Sequence, residues 1–212
     1  AMRRCLVVTT ALACLVGLPL VCFGGWEMVL VGAACVLFCF LYTTLLAQHG
    51  MGDVLVLLFF GLVPVCLTYY VTMPPASQTI TAQVVWASLA CGLVIDTLLV
   101  VNNYRDYDQD RAVGKKTLIV RIGRERAEQL YGWLGNIATY MMWGCLVLGD
   151  SSFVLMLVCF ACFVPYALLH GATRVQMRRI GRGRELNKVL GMTARNMFVF
   201  GVTTAIVTLF IL

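Results

Sequence analysis

Charge is what this sequence has least of. Lys, Arg, Asp and Glu make up 12% of its 212 residues, where soluble domains carry about 25%. Hydrophobic residues account for 61%, and the mean hydropathy is +0.89. This excludes an ordinary soluble domain. Ser- or Pro-rich linkers, low-complexity tracts and internal repeats are lacking too, so one unit spanning residues 1–212 is expected. The alternation of apolar and polar residues that marks a strand is also missing, its place taken by continuous apolar runs.

Seven such runs, Cys5 to Phe23, Met28 to Leu46, Val54 to Met73, Ala82 to Val101, Tyr131 to Gly149, Phe153 to His170 and Gly191 to Leu212, have roughly the 17–25 residues that a bilayer requires. Hydrocarbon leaves no water to satisfy a backbone, so each run is predicted to be a helix. The expected fold class is all-α, a polytopic transmembrane bundle of seven spans.

Cations are absent from every second connection. Arg3 and Arg4, seven Lys/Arg from Arg105 to Arg126, and six from Arg174 to Lys188 fall on one side, while GGWE, PPASQT and GDSS carry only Glu27 and Asp150. The positive-inside rule then places the N-terminus, Asn102 to Leu130 and Gly171 to Leu190 in the cytoplasm. The net charge of +6 is accounted for by orientation and anionic headgroups, with no call for nucleic acid. All ten cysteines lie inside apolar runs, where Cys acts as a small hydrophobe. Even Cys159 and Cys162, a CxxC, lack a second ligand pair. No secretory cleavage pattern follows the first run.

Against this background the segment NNYRDYDQDRAVGKKTLIVRIGRERA, Asn102 to Ala127, gathers three aspartates and seven Lys/Arg. Asn102, Asp106 and Asp110 recur every four residues, drifting only about 40° per step if the fourth helix runs on past the membrane. Asp96, Asn103 and Asp110 form an overlapping stripe. Hard oxygen donors without a nearby His or Cys suit Mg²⁺, which completes its shell with water and phosphate. Downstream, Gly114 supplies a hinge, Lys115 and Lys116 ammonium groups, Thr117 a hydroxyl and Arg121 a guanidinium, all of them diphosphate-binding groups. A solvated loop of paired acids and bases is the plainer alternative. GKKT is no Walker A loop, because its upstream glycine and strand are missing.

The pattern NxxxDxxxD followed by xxxGKxT resembles the second aspartate-rich motif of the UbiA-type intramembrane prenyltransferases, most closely the branch that prenylates 1,4-dihydroxy-2-naphthoate in menaquinone synthesis. HGMGDVLVLLFFGLVPVCLTYYV is similar to that branch's preceding loop and helix, and LNKVLGMTARNMFVFG to its last helix. The resemblance implies a bacterial cytoplasmic-membrane enzyme that transfers a polyprenyl group from a polyprenyl diphosphate to an aromatic acceptor. It assigns Asp106 and Asp110 to Mg²⁺ and the diphosphate and Asn102 to their support. Arg105, Lys115 and Arg121 are assigned to phosphate oxygens. The family has nine helices and two aspartate-rich motifs, so the seven runs correspond to its third through ninth. Two helices and the first motif are expected to be missing from this stretch, leaving it inactive alone. Within the enzyme class 4-hydroxybenzoate is the alternative acceptor; an ion channel or transporter and a non-catalytic scaffold are alternatives outside it.

Other residues carry two readings each. Asp96 lies inside the fourth run, where a carboxylate costs roughly 2.5–3.5 kcal/mol, so a cavity or partner is expected. Asp53 either helps to bind the aromatic acceptor or serves as an anion at the start of the third helix. Arg195 is expected to snorkel to the interface rather than reach a phosphate. His49 and His170 are expected at the interface.

Overall fold

A computed structural model describes residues 2–42, 50–147 and 152–211. No strand occurs among the described residues, and the chain is an all-α membrane bundle. Its first helix, α1 (Met2–Gly17), continues through a 3₁₀ turn at Leu18–Leu20 to Gly24. It is followed by α2 (Glu27–Leu41), α3 (Gly52–Thr72) and α4 (Ala82–Arg105). Two short helices, α5 (Tyr107–Ala112) and α6 (Leu118–Ile122), form the charged segment. The chain closes with α7 (Arg124–Val147), α8 (Phe153–Cys162), α9 (Val164–Ile180) and α10 (Leu186–Ile211).

Each of the seven apolar runs contains a helix, but the boundaries move. Five described stretches are long and apolar enough to cross a membrane: Arg4–Gly24, Gly52–Thr72, Ala82–Arg105, Phe153–Ile180 and Leu186–Phe210. Glu27–Leu41 is shorter, and Arg124–Val147 begins in a charged turn that lowers its hydropathy. Helices α9 and α10 extend past the apolar residues because backbone bonding does not stop where hydrocarbon does. His49 and Asp150 lie outside the described residues.

Three contacts fix the ends of the bundle. At one end the Gln78 amide donates to the Phe23 carbonyl at 2.8 Å, joining the loops expected to lack cations. At the other, Arg105 Nη1 donates to Asn187 Oδ1 at 3.1 Å and Arg124 Nη1 to the Gly181 carbonyl at 2.6 Å. The two basic segments therefore meet, as their common charge led us to expect.

The core lies among α4, α7, α9 and α10. Val100, Val101, Tyr104, Tyr131, Met177 and Leu186 form a fully buried cluster beneath the charged end, and Val94, Met142, Phe163, Tyr166 and Phe200 form another farther in. By contrast, α1 keeps Leu6, Val7, Leu12 and Leu15 exposed, as suits a surface solvated by lipid. Between α3 and α4 the packing depends on glycine. A Cβ on Gly61 would lie 2.7 Å from both the Gly92 Cα and the Ser88 carbonyl oxygen, so the two backbones touch. Gly61 falls in a π-helical stretch of α3, Leu57–Leu62.

His170 departs from its expected interfacial position. It is 2% exposed, its Nε2 lies 2.9 Å from the Tyr131 carbonyl oxygen, and its ring stacks on Tyr131 and Tyr166. Helix α9 continues beyond it and carries it into the bundle. The side chain of Arg195 is exposed and reaches the neighbouring Asn196. All described cysteines are free thiols.

Candidate active site

The aspartate-rich segment is built around one break in a helix. Helix α4 ends at Arg105 and α5 begins at Tyr107, with Asp106 between them at φ −89° and ψ 5°. The expected hydrogen bonding survives the break. Asp106 N–H donates to the Asn102 carbonyl at 3.1 Å, and Asp110 N–H to the Asp106 carbonyl at 2.8 Å. The four-residue spacing is thus realised as a stack in which each member is bonded to the next.

The helix then stops at Gly114, whose φ of 75° is the left-handed conformation that glycine reaches without strain. Lys115 N–H bonds back to the Asp110 carbonyl at 2.9 Å and Gly114 N–H to the Arg111 carbonyl at 3.2 Å, the paired bonds of a Schellman ending. This reversal brings the Lys115 ammonium to the Asp110 carboxylate, at 3.2 and 3.4 Å.

Each aspartate of the segment has a cation. Arg105 grips Asp106 bidentately, Nε to Oδ1 at 2.7 Å and Nη2 to Oδ2 at 2.8 Å, and Nη2 also donates to Asn102 Oδ1 at 2.8 Å. That hydrogen bond, the largest influence, together with the charges of Arg105 and Lys115, holds the Asp106 carboxyl below the usual carboxylate range. Asp108, on the outer side, pairs with Arg124 at 3.0 Å. Thr117 is buried and accepts from Val120 N–H at 3.3 Å, capping α6. Arg121 is exposed and donates to the Lys116 carbonyl at 3.2 Å.

Beside this stack opens a cavity of about 800 Å³, walled by apolar residues of α2, α3, α4 and α10 such as Phe38, Phe59, Leu98 and Leu190. Asn102 and Tyr42 are polar points on its wall. A second, small cavity is lined by Tyr42, Asp53, Asn103, Lys115 and Thr117. Asp53 and Asp96 are both buried at the α3–α4 seam. The structure thus brings Asn102, Arg105, Asp106, Asp110 and Lys115 into one network, with Asp53 behind Lys115 and Arg121 on the outer side.

Two contributors escaped the sequence reading. Asn187 on α10 is a partner of Arg105 across 82 positions. Arg124 ties Tyr104, Asp108 and Gly181 together and stacks over the rings of Tyr104 and Tyr107, at 4.9 and 4.8 Å. Neither spacing nor composition singles them out, because their roles depend on contacts distant in sequence.

Among the described residues no three His, Cys, Asp or Glu side chains converge into a metal cage. The donors present suit a different mode, in which one or two carboxylates hold Mg²⁺ and substrate phosphates fill the rest of its shell. Asp106 and Asp110 would supply the hard oxygens of such a site, and each now faces a cation, Arg105 and Lys115 respectively.

The family model described as the UbiA prenyltransferase family matches residues 2–200. The chain belongs to that family. It is 31% identical over 176 residues to the 1,4-dihydroxy-2-naphthoate octaprenyltransferase of Escherichia coli (strain K12), covering 79% of this chain and 50% of that protein. To the Mycobacterium tuberculosis protein of the same name it is 34% identical over 204 residues, covering 92% and 64%. To that of Mycobacterium leprae it is 32% identical over 209 residues, covering 94% and 65%. The chain thus spans half to about two thirds of these relatives' lengths. No solved structure matches it. Five described stretches of spanning character and the family together make this UbiA-family chain an integral membrane protein.

Proposed function

We propose that the protein transfers a polyprenyl group from a polyprenyl diphosphate to an aromatic acceptor, 1,4-dihydroxy-2-naphthoate, yielding a menaquinone precursor. The observation that carries this reading is the bonded stack Asn102–Asp106–Asp110 at the wall of an apolar cavity that Asn102 itself lines. A long isoprenoid needs such a cavity and its diphosphate needs such a stack. Their junction is where the scissile C–O bond would lie. The relatives' names support the acceptor.

In this reading Asp106 and Asp110 hold the diphosphate through Mg²⁺, which when bound neutralises the leaving group. Asn102 and Arg105 orient Asp106. Lys115 and Arg121 take phosphate oxygens as the negative charge grows on the diphosphate. The apolar walls keep water from the allylic centre, so the ring rather than water attacks it. Asp53 and Asp96 serve the acceptor. Cation segregation supports placing the charged end in the cytoplasm of a bacterial inner membrane.

Deletion of the gene followed by quinone analysis tests the reading. Menaquinone should disappear and be restored by the wild-type gene. Asp106→Asn and Asp110→Asn should fail to restore it, with prenyl transfer down about a hundredfold or more, while Asp108→Asn, off the stack, should stay within a few-fold. Equal losses at all three positions would mark the segment as a generic acidic loop.

A further inference from the structure

Polar groups without partners converge on one small chamber. The cavity of about 20 Å³ beside the aspartate stack is lined by Tyr42, Asp53, Asn103, Lys115 and Thr117. Asp53 and Asn103 are both 8% exposed. Asp53 Oδ1 is buried without a hydrogen-bond partner, and among the described residues neither the Tyr42 hydroxyl nor the Asn103 amide has one. The other two polar residues are engaged, since the Lys115 ammonium meets Asp110 at 3.2 Å and Thr117 Oγ1 accepts from Val120 N–H at 3.3 Å. Three polar side chains, at the end of α2, in the first turn of α3 and in the last turn of α4, are therefore left to line one space.

Backbone closes the chamber on one side, and the apolar cavity adjoins it on another. Gly50, at φ 73°, lets the chain lie against the connection between α5 and α6; an added Cβ there would be 2.6 Å from the Lys116 carbonyl oxygen. Gly52 leaves the room in which Tyr42 stands, with the tyrosine hydroxyl 4.0 Å from where a Cβ on Gly52 would lie. Tyr42 and Leu99 line the large apolar cavity as well as the small one. Asn102 and Asn103, successive residues of α4, lie one on each.

The size and charge of the chamber select its occupant. About 20 Å³ admits one oxygen-sized group. Asp53 would repel an anion and the Lys115 ammonium a second cation, so the group that fits is neutral. It must donate to Asp53 and accept from Tyr42 or Asn103, and a hydroxyl does both. We propose that Tyr42, Asp53 and Asn103 form a socket for one ring hydroxyl of the aromatic acceptor, with the ring in the apolar cavity beside Asn102. The acceptor as occupant rests on the prenyl-transfer reading above, in which this position sets the ring next to the donor's allylic carbon. A buried polar group left unpaired costs free energy, so the socket discriminates against a ring that lacks the hydroxyl.

Equilibrium binding to the purified chain in lipid reads the socket without any turnover. The wild type should bind 1,4-dihydroxy-2-naphthoate about tenfold more tightly than 2-naphthoate. Tyr42→Phe removes one oxygen, and Asp53→Asn replaces a charged acceptor by an amide of the same shape. Each should lose most of that preference while binding 2-naphthoate as the wild type does. Equal affinities in the wild type would leave the chamber to a water molecule and overturn the socket, and so would a preference that survives both substitutions. Equal weakening of both naphthoates would overturn it too, since the side chain would then shape the cavity and hold no hydroxyl. If the wild type binds neither naphthoate the socket falls, and the gene deletion described above decides the reading on which it rests: loss of menaquinone keeps prenyl transfer, and its persistence removes it.

Discussion

At the scale of single residues, Arg105 organises the site. Its guanidinium meets Asp106 through two nitrogens and reaches Asn102 and Asn187 as well, a fork that lysine cannot reproduce. The pair sets a pH dependence whose sign is fixed. Asp106 titrates lower in the folded protein than unfolded, so its stabilising contribution is present above the usual aspartate value of about 3.9 and is lost as pH falls through the lowered one. A titration of the Asp106 carboxylate by carbon-13 NMR should give a midpoint below that value, and Arg105→Gln should raise it. An identical midpoint in both proteins would show that the hydrogen bond does not hold the proton off. The spacing of Asn102, Asp106 and Asp110 made this site legible in sequence. What could not be read was the partner of each acid, since Arg105 is adjacent to Asp106 while Asn187 and Arg124 arrive from other helices.

At the scale of elements, the seam between α3 and α4 depends on the absence of two side chains. A methyl on Gly61 would meet backbone atoms of Gly92 and Ser88, which have no rotamer to yield, so Gly61→Ala should separate the helices. Overpacking of this kind costs about 1–3 kcal/mol. The expected result is a lower thermal midpoint of the purified protein in lipid or detergent, with prenyl transfer reduced because Asp53 and the cavity wall lie on the displaced helix. Gly201→Ala, where no atom lies within 4 Å of an added Cβ, should leave the midpoint unchanged. Equal midpoints for the two variants would contradict the close approach. Apolar runs announced both helices; their register could not be read, because glycine contacts leave no periodic mark of their own.

At the scale of the whole molecule, the bundle has two chemically distinct ends. Lys116 and Arg182 lie at the end where Arg105 meets Asn187, and Thr79 lies at the end where Gln78 meets Phe23. In a cysteine-free background, Lys116→Cys and Arg182→Cys should be labelled by an impermeant thiol reagent from the same side of sealed vesicles, and Thr79→Cys from the other. Labelling of all three from one side would overturn the topology. Cation counting anticipated this polarity because charge cannot cross hydrocarbon cheaply. It could not anticipate that His170 is carried inside, since a lone histidine near an apolar boundary reads the same either way. The wide turn at Leu57–Leu62 shows how the acid chemistry and the packing came to share one face of α3. Eight residues separate Asp53 from Gly61, and along an ordinary α-helix they would point about 80° apart. A π-helical turn absorbs one residue of phase and brings them to within about 20°. The same local loosening that costs the helix some regularity lets one surface both close against α4 and hold an acid there.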